Sequence, residues 1–330
     1  MGQQDVTLKE YLSDPERFAD AFNGSLFHGK KVIDPSRLRE LDPSEIHLSS
    51  DGKGTKDRHR KPVTEKKRDL LKQATLMTDD RHAYLILGIE NQNKVDYAMP
   101  ARAMVYDALR YDRQLQRIRK KNRKPGDAPK GTEYISGFKK TDRLLPVITL
   151  VMYYSPDAWD GAKSLHEMFG SCDSEILSRV ADYKLNLMEP GNITEEELNH
   201  YTTGLRSVIK YVKYSNDLEK LREALNEDAS YQELDEETAE AIEAVSGKDL
   251  NLKPEGGVVN MCKALDDLEK NAKAEGKAEG KAEGEATGDD KRRKSMAKSL
   301  YAQGVSISII ANAAEATDEA VREWLGLQPA

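Results

Sequence analysis

The sequence predicts an α/β fold, a mixed central sheet flanked by helices, with a helical C-terminal extension. Three observations carry this expectation. Residues Ala83–Glu90 read AYLILGIE, a strand rich in Tyr, Leu and Ile, and they follow a mixed segment, Val63–Met77, across a turn at Asp79 and Asp80. Two such runs joined by a short polar turn form a hairpin. Leu145–Tyr154 is a near-continuous apolar run, the pattern of a strand buried on both faces. Beyond about residue 190 the chain becomes acidic, with apolar residues at helical spacing.

The flanking elements follow in order. Leu8, Leu12, Phe18, Phe22 and Leu26 recur at helical intervals, and Ser13-Asp14-Pro15 supplies an N-cap and a first-turn proline for a helix over Pro15–Phe22. Asp34–Glu45 is expected to hold a turn and a short helix. Residues 49–62, SSDGKGTKDRHRKP, read as a polar, mobile loop. Met99–Arg123 has helical spacing, with Pro100 in the first turn where its missing N–H costs nothing. Residues 124–137 form another loop, and Ser164 begins a short helix. Thr194–Lys213, Asp217–Asn226 and Gly257–Lys270 read as helices, and Glu233–Val245 is very acidic. Residues 273–286 repeat Lys-Ala-Glu-Gly with period four. Each glycine costs a helix about 1 kcal/mol relative to alanine, so this tract reads as a marginal helix or a linker. Asp289–Leu327 reads as three short helices.

Composition narrows the function classes. Of 330 residues, 38% are apolar and 33% charged, which fits a modest core with polar helices around it. The net charge of −7 means that any polyanion must be met by a local basic patch. The two cysteines, Cys172 and Cys262, imply no disulfide framework, and six scattered histidines show no zinc spacing. The N-terminus lacks a signal-peptide pattern, and no apolar run approaches a membrane span, so a cytoplasmic protein without membrane contact is expected.

Three polar residues stand out against this frame. Asp69 lies on or beside the strand before the turn, and Glu90 ends the next one. Gln92, two residues on, points to the same face of an extended chain. A hairpin folded at Asp79 and Asp80 would bring Asp69 and Glu90 to neighbouring strand ends. Phosphodiester hydrolysis needs such a pair, because Mg²⁺ takes one or two carboxylates while keeping several waters, and then orients a water for in-line attack. The spacing by itself is also met by ordinary proteins. Asp69 could be a turn carboxylate, and Glu90 could pair structurally with Arg102.

The run DLLKQATLMTDDRHAYLILGIENQ resembles the motif region of the recombination-promoting nucleases and YhgA-like transposases of the PD-(D/E)XK nuclease superfamily. YAMPARAMVYDALRY is similar to the family's next helix, and PVITLVMYYSPDAWDGAKSLHEMF to its next strand and loop. The similarity covers roughly residues 5–265. It implies a restriction-endonuclease-like core over 1–190 with a helical extension over 191–270 packing on it, and the repeat tract over 271–290 and a small helical unit over 291–330 follow. It also implies a Mg²⁺-dependent (or other divalent-cation) DNA endonuclease of low specificity, with Asp69 and Glu90 as metal ligands and Gln92 in the motif's third place. That place usually holds Lys. Gln carries no charge to stabilise the phosphorane but can still position water. Asp20, on an early helix, is a candidate further metal ligand, with a surface or capping role as the alternative. A catalytically weak or inactive DNA-binding scaffold is the competing reading. No separate site for strand transfer or end recognition is legible.

A DNA surface is expected on the helix after the motif. Arg102, Tyr106 and Arg110 follow at i+4, and Arg117, Lys120 and Lys121 belong to the most basic stretch, RIRKKNRK. The alternative is a solvated helix end, where cations suit the dipole. The loop Lys53–Arg68 is also basic. His166 could be catalytic but reads more simply as structural, and Trp159 as a packing anchor. The last helix exposes mainly acids, which argues against reading the major groove and favours self-association, with a homodimer through the C-terminal helices as the expected form.

Overall fold

The computed structural model describes residues 3–42, 44–47, 64–67, 69–78, 81–124 and 130–328. The expected mobile loop over 49–62, the turn residues Asp79 and Asp80, most of the basic Lys53–Arg68 stretch and residues 125–129 lie outside these. The chain divides into two compact units, 1–264 and 265–330.

The first unit opens with α1 (Gln3–Ser13) and α2 (Pro15–Phe27). Asp14 caps α2, accepting the backbone N–H groups of Glu16 and Arg17, and Pro15 takes the first helical position, as the sequence predicts. The expected short helix after Asp34 is only one 3₁₀ turn, Pro35–Arg37, and it feeds a strand, β1 (Leu38–Glu40). That strand is three residues long, too short to leave a periodic signal. Strands β2 (Ser44–His47) and β3 (Thr64–Lys67) pair with each other as a separate ribbon.

Strands β4 (Leu70–Thr78) and β5 (Arg81–Gln92) form the expected hairpin, closing at the Thr78–Arg81 pair. Helix α3 (Met99–Asn122) and the short α4 (Thr132–Ser136) lead to β6 (Val147–Tyr153), which pairs in parallel with β5. A one-turn helix, α5 (Ser174–Leu177), precedes β7 (Asn186–Met188), parallel to β6. The sheet order is β1-β4-β5-β6-β7, so the sheet is mixed, antiparallel on one side of β5 and parallel on the other. This is the α/β, restriction-endonuclease-like architecture that the sequence predicts.

Alternation along the strands sorts the two faces. Leu71, Ile86 and Val147 cluster under Tyr111 of α3, and Thr149 donates to Asp107 of the same helix at 2.7 Å. The neighbouring Lys72 points the other way, toward the end of α1, where it bonds the Ser13 carbonyl and pairs with Glu40 at 2.6 Å. Helices α1 and α3 therefore cover opposite faces of the sheet.

Beyond the sheet come α6 (Glu195–Leu198), α7 (Leu205–Tyr214), α8 (Leu218–Asn226), β8 (Leu234–Asp235), α9 (Glu236–Ser246) and β9 (Val258–Val259). The single helix expected over Thr194–Lys213 is broken at 199–204, because the Thr202 and Thr203 backbone is drawn onto Asp20 of α2. Gly204 then closes against α9 so tightly that a Cβ there would meet Thr238 Oγ1 at 2.1 Å.

Helix α10 (Met261–Ala302) begins in the first unit and runs on through the Lys-Ala-Glu-Gly tract without interruption. The tract is thus helical, not an open linker. In the second unit the end of α10 packs with α11 (Ile307–Ala313) and α12 (Asp318–Leu325) around Ala297, Ile310, Ala311 and Val321. Among the described residues, no helix is long and apolar enough to cross a membrane.

Candidate functional site

The β4–β5 register assembles the site. The hairpin pairs Leu70 with Ile89. One further step along an antiparallel ladder sets Asp69 across from Glu90. Asp69 Oδ2 accepts the Asn91 backbone N–H at 2.8 Å, which ties the residue to the end of β5. Glu90 is wholly buried, and its Oε2 accepts from Arg102 Nη2 at 3.0 Å. Arg102 also donates from Nη1 to Asp96 at 2.8 Å and from Nε to the Tyr106 hydroxyl at 3.3 Å. The structural pairing of Glu90 with Arg102 is therefore present. Gln92 is the last residue of β5, on the Glu90 side of the pleat and half-buried, and its carbonyl accepts the Tyr154 N–H at 2.8 Å.

The electrostatics follow from burial. Burial raises the Asp69 pKa above the usual carboxylate range. The Asn91 N–H and the charges of Arg102 and Lys9 oppose that rise, and Asp5 adds to it. Desolvation opposes the charge on Arg102, but the Tyr106 hydroxyl, Glu90 and Asp96 outweigh it and hold the guanidinium firmly protonated.

Asp5 was not singled out from the sequence. It sits on α1, its charge reaches Asp69, and its Oδ1 lies 3.4 Å from the Asn93 side-chain amide. Only the packing of α1 over the end of β5 reveals it, although its i+4 spacing to Lys9 could have marked a charged helix face.

Asp20 is placed elsewhere. Its two oxygens accept the backbone N–H groups of Thr202 and Thr203 at 2.9–3.0 Å, and both threonine hydroxyls as well. It is a latch between α2 and the segment before α7, and the early acid at the end of β5 is Asp5, beside Asn93.

The basic candidates divide by burial. Arg110 is 2% exposed and Tyr106 6%, so neither offers a surface to a phosphate, and Tyr106 instead steadies Arg102. Arg117, Lys120 and Lys121 are exposed toward the C-terminal end of α3. His166 is held by backbone partners, Nε2 against the Val180 carbonyl at 2.8 Å and its N–H on Asp182. Trp159 is buried, edge-on to Tyr153 at 5.2 Å.

Among the described residues, no group of three or more His, Cys, Asp or Glu side chains is arranged to hold a metal. The pair Asp69 and Glu90 still suits a hard cation, because Mg²⁺ binds through as few as one or two carboxylates. In this structure Arg102 is the cation beside Glu90.

A family model described as "Putative transposase, YhgA-like" matches residues 61–240. The chain belongs to this family. The match spans Asp69, Glu90, Gln92, all of α3 and the whole five-stranded sheet except β1. Asp5 and the second unit lie outside it. No curated protein and no solved structure matches the chain.

Proposed function

We propose that this member of the YhgA-like transposase family is a divalent-cation-dependent DNA endonuclease of low sequence specificity. The observation that carries the reading is the pairing of Asp69 and Glu90 across the end of the β4–β5 hairpin, inside the family stretch. The two carboxylates would hold Mg²⁺ or a similar ion, which supplies charge neutralisation at phosphorus and an acidified water. Gln92 would orient that water by hydrogen bonding. Arg102, half-exposed beside Glu90, would exchange its carboxylate partner for a phosphate oxygen as DNA arrives. Arg117, Lys120 and Lys121 would hold the backbone farther along α3.

A second reading, a DNA-binding scaffold without catalysis, is favoured by one observation: Arg102 already neutralises Glu90. Supercoiled-plasmid nicking separates the two. The endonuclease nicks with Mg²⁺, stops with chelator, and loses activity in Asp69→Ala and Glu90→Ala variants that remain folded by circular dichroism. Nicking that survives both variants or the chelator sinks the proposal.

A further inference from the structure

The far end of α3 is built differently from the rest of the surface. Residues 117–143 carry ten Lys and Arg against three Asp and Glu, in a chain whose net charge is −7. The two described acids there already accept hydrogen bonds from their neighbours. Asp142 accepts from Asn122 and the Lys139 N–H, both at 2.7 Å, and Glu133 accepts the Lys140 N–H at 2.9 Å. Lys120, Lys121, Arg123, Lys124 and Lys140 are all exposed.

On this basic ground stands α4, a five-residue helix that buries none of its side chains. Polar bonds hold it to α3. Arg119 Nε donates to the Ser136 carbonyl and Asn122 Nδ2 to the Gly137 carbonyl, each at 3.1 Å. Gly137 ends the helix at φ 68, and a Cβ there would meet Arg119 Cγ at 2.9 Å, so this attachment requires glycine. The result leaves Tyr134 66% and Ile135 83% exposed. A helix fixed in place by its backbone, with its aromatic and aliphatic side chains in water and exposed cations around it, is a stacking platform in an electropositive field.

We propose that α4 and the basic end of α3 form a second nucleic-acid contact that takes unpaired bases flanking a duplex. The inference rests on the reading of α3 as a DNA-facing helix. At 100° per residue, Arg102, Arg113, Arg117 and Lys120 fall within about 60° of one another along α3, and past the buried Tyr106 and Arg110 the exposed Arg117 and Lys120 continue that line toward the end of the helix. From Arg102 to Lys121 is about 28 Å at 1.5 Å per residue, the length of about eight base pairs. A duplex whose phosphate lies at Arg102 therefore reaches the platform with its next turn. Intact duplex shows no base face there, whereas a tail, gap or fork does, and Tyr134 can stack, with Ile135 packing beside it, only on such exposed bases.

The test is fluorescence anisotropy with the full chain in chelator, so that cleavage plays no part. The probes are a blunt duplex of about 20 base pairs and the same duplex with a single-stranded tail of about six nucleotides. Wild type is expected to bind the tailed probe about tenfold tighter than the blunt one. Tyr134→Ala/Ile135→Ser should remove that gain and leave blunt-duplex affinity unchanged. Lys120→Gln/Lys121→Gln should weaken both probes and reduce the salt slope by about two. Equal affinity of wild type for the two probes, or a gain that survives Tyr134→Ala/Ile135→Ser, overturns the inference. So does a double variant that binds DNA normally yet loses binding to phosphatidylserine vesicles, which would mark the tip as a membrane contact. Failure of plasmid nicking ends the endonuclease reading without touching these outcomes, and loss of the tail effect leaves nicking untouched.

Discussion

Asp69 illustrates how one residue can be costly to the fold and useful to the site. Burial raises its pKa, so in the folded state it binds its proton more tightly than in the unfolded chain. Above its folded pKa the ionised form carries the full desolvation cost, and that cost is relieved as the pH falls through the folded pKa. Asp69→Asn is therefore expected to stabilise the protein at pH 8, by about 0.5–1 kcal/mol, while abolishing nicking. The gain should shrink toward pH 4. Urea midpoints at the two pH values check this, and a variant less stable at pH 8 than wild type contradicts it. Glu90→Gln should reduce nicking on the order of a hundredfold or more, because it removes one of two negative ligands. A titration of Mg²⁺ against nicking rate would show whether the loss lies in metal affinity or in turnover.

At the scale of elements, the fold around the site is held by polar latches as much as by apolar packing. Asp20 accepts two backbone N–H groups and two hydroxyls from Thr202 and Thr203, which bends the chain between α6 and α7. Asp20→Ala would leave those buried donors unpaired, at a cost of about 3 kcal/mol. Thermal unfolding measures it, and any loss of nicking should follow the unfolding curve rather than a change in metal dependence. Asp228 latches α7 in a related way, meeting Arg206 at 2.6 Å and Lys210 at 3.2 Å. Its burial opposes ionisation, but Ser230, Arg206 and Lys210 outweigh that and hold its pKa far below the usual range. The stability it contributes is present above the ordinary Asp pKa and fades as the pH falls through the lowered folded value. Asp228→Asn is expected to cost about 1–2 kcal/mol at pH 7, modest because the pair is part-exposed, and less at pH 3.

At the scale of the whole molecule, all of the candidate site lies in the unit 1–264. Ending the chain at Lys270 is expected to leave metal-dependent nicking in place. Loss of nicking with the first unit still folded would assign part of the site to residues beyond it. The second unit leaves Met296, Tyr301 and Ile309 exposed, and the proposed homodimer would use these C-terminal helices. Sedimentation equilibrium should then find a dimer for the full chain and a monomer for the shortened one.

The sequence by itself determined the main elements around the candidate site. Alternation and apolar runs marked β5 and β6, the Asp14-Pro15 pair marked the start of α2, and the nearness of Asp69 and Glu90 was legible because the two open ends of a hairpin that turns at Asp79 and Asp80 lie side by side. These are local rules of periodicity and capping, which a single chain displays. Tertiary structure decided the rest. The three-residue β1, the break before α7 and the latch role of Asp20 depend on partners 30 or more residues away. So do the inward turn of Arg110 and the approach of Asp5 to Asp69. The helical period fixes which residues share a face of α3, but only the neighbouring sheet decides that Arg110 is inside and Arg117 outside. Burial and long-range hydrogen bonds are properties of the packed molecule, and they convert a row of similar arginines into one that fixes a carboxylate, one that is sealed in the core and several that face the solvent.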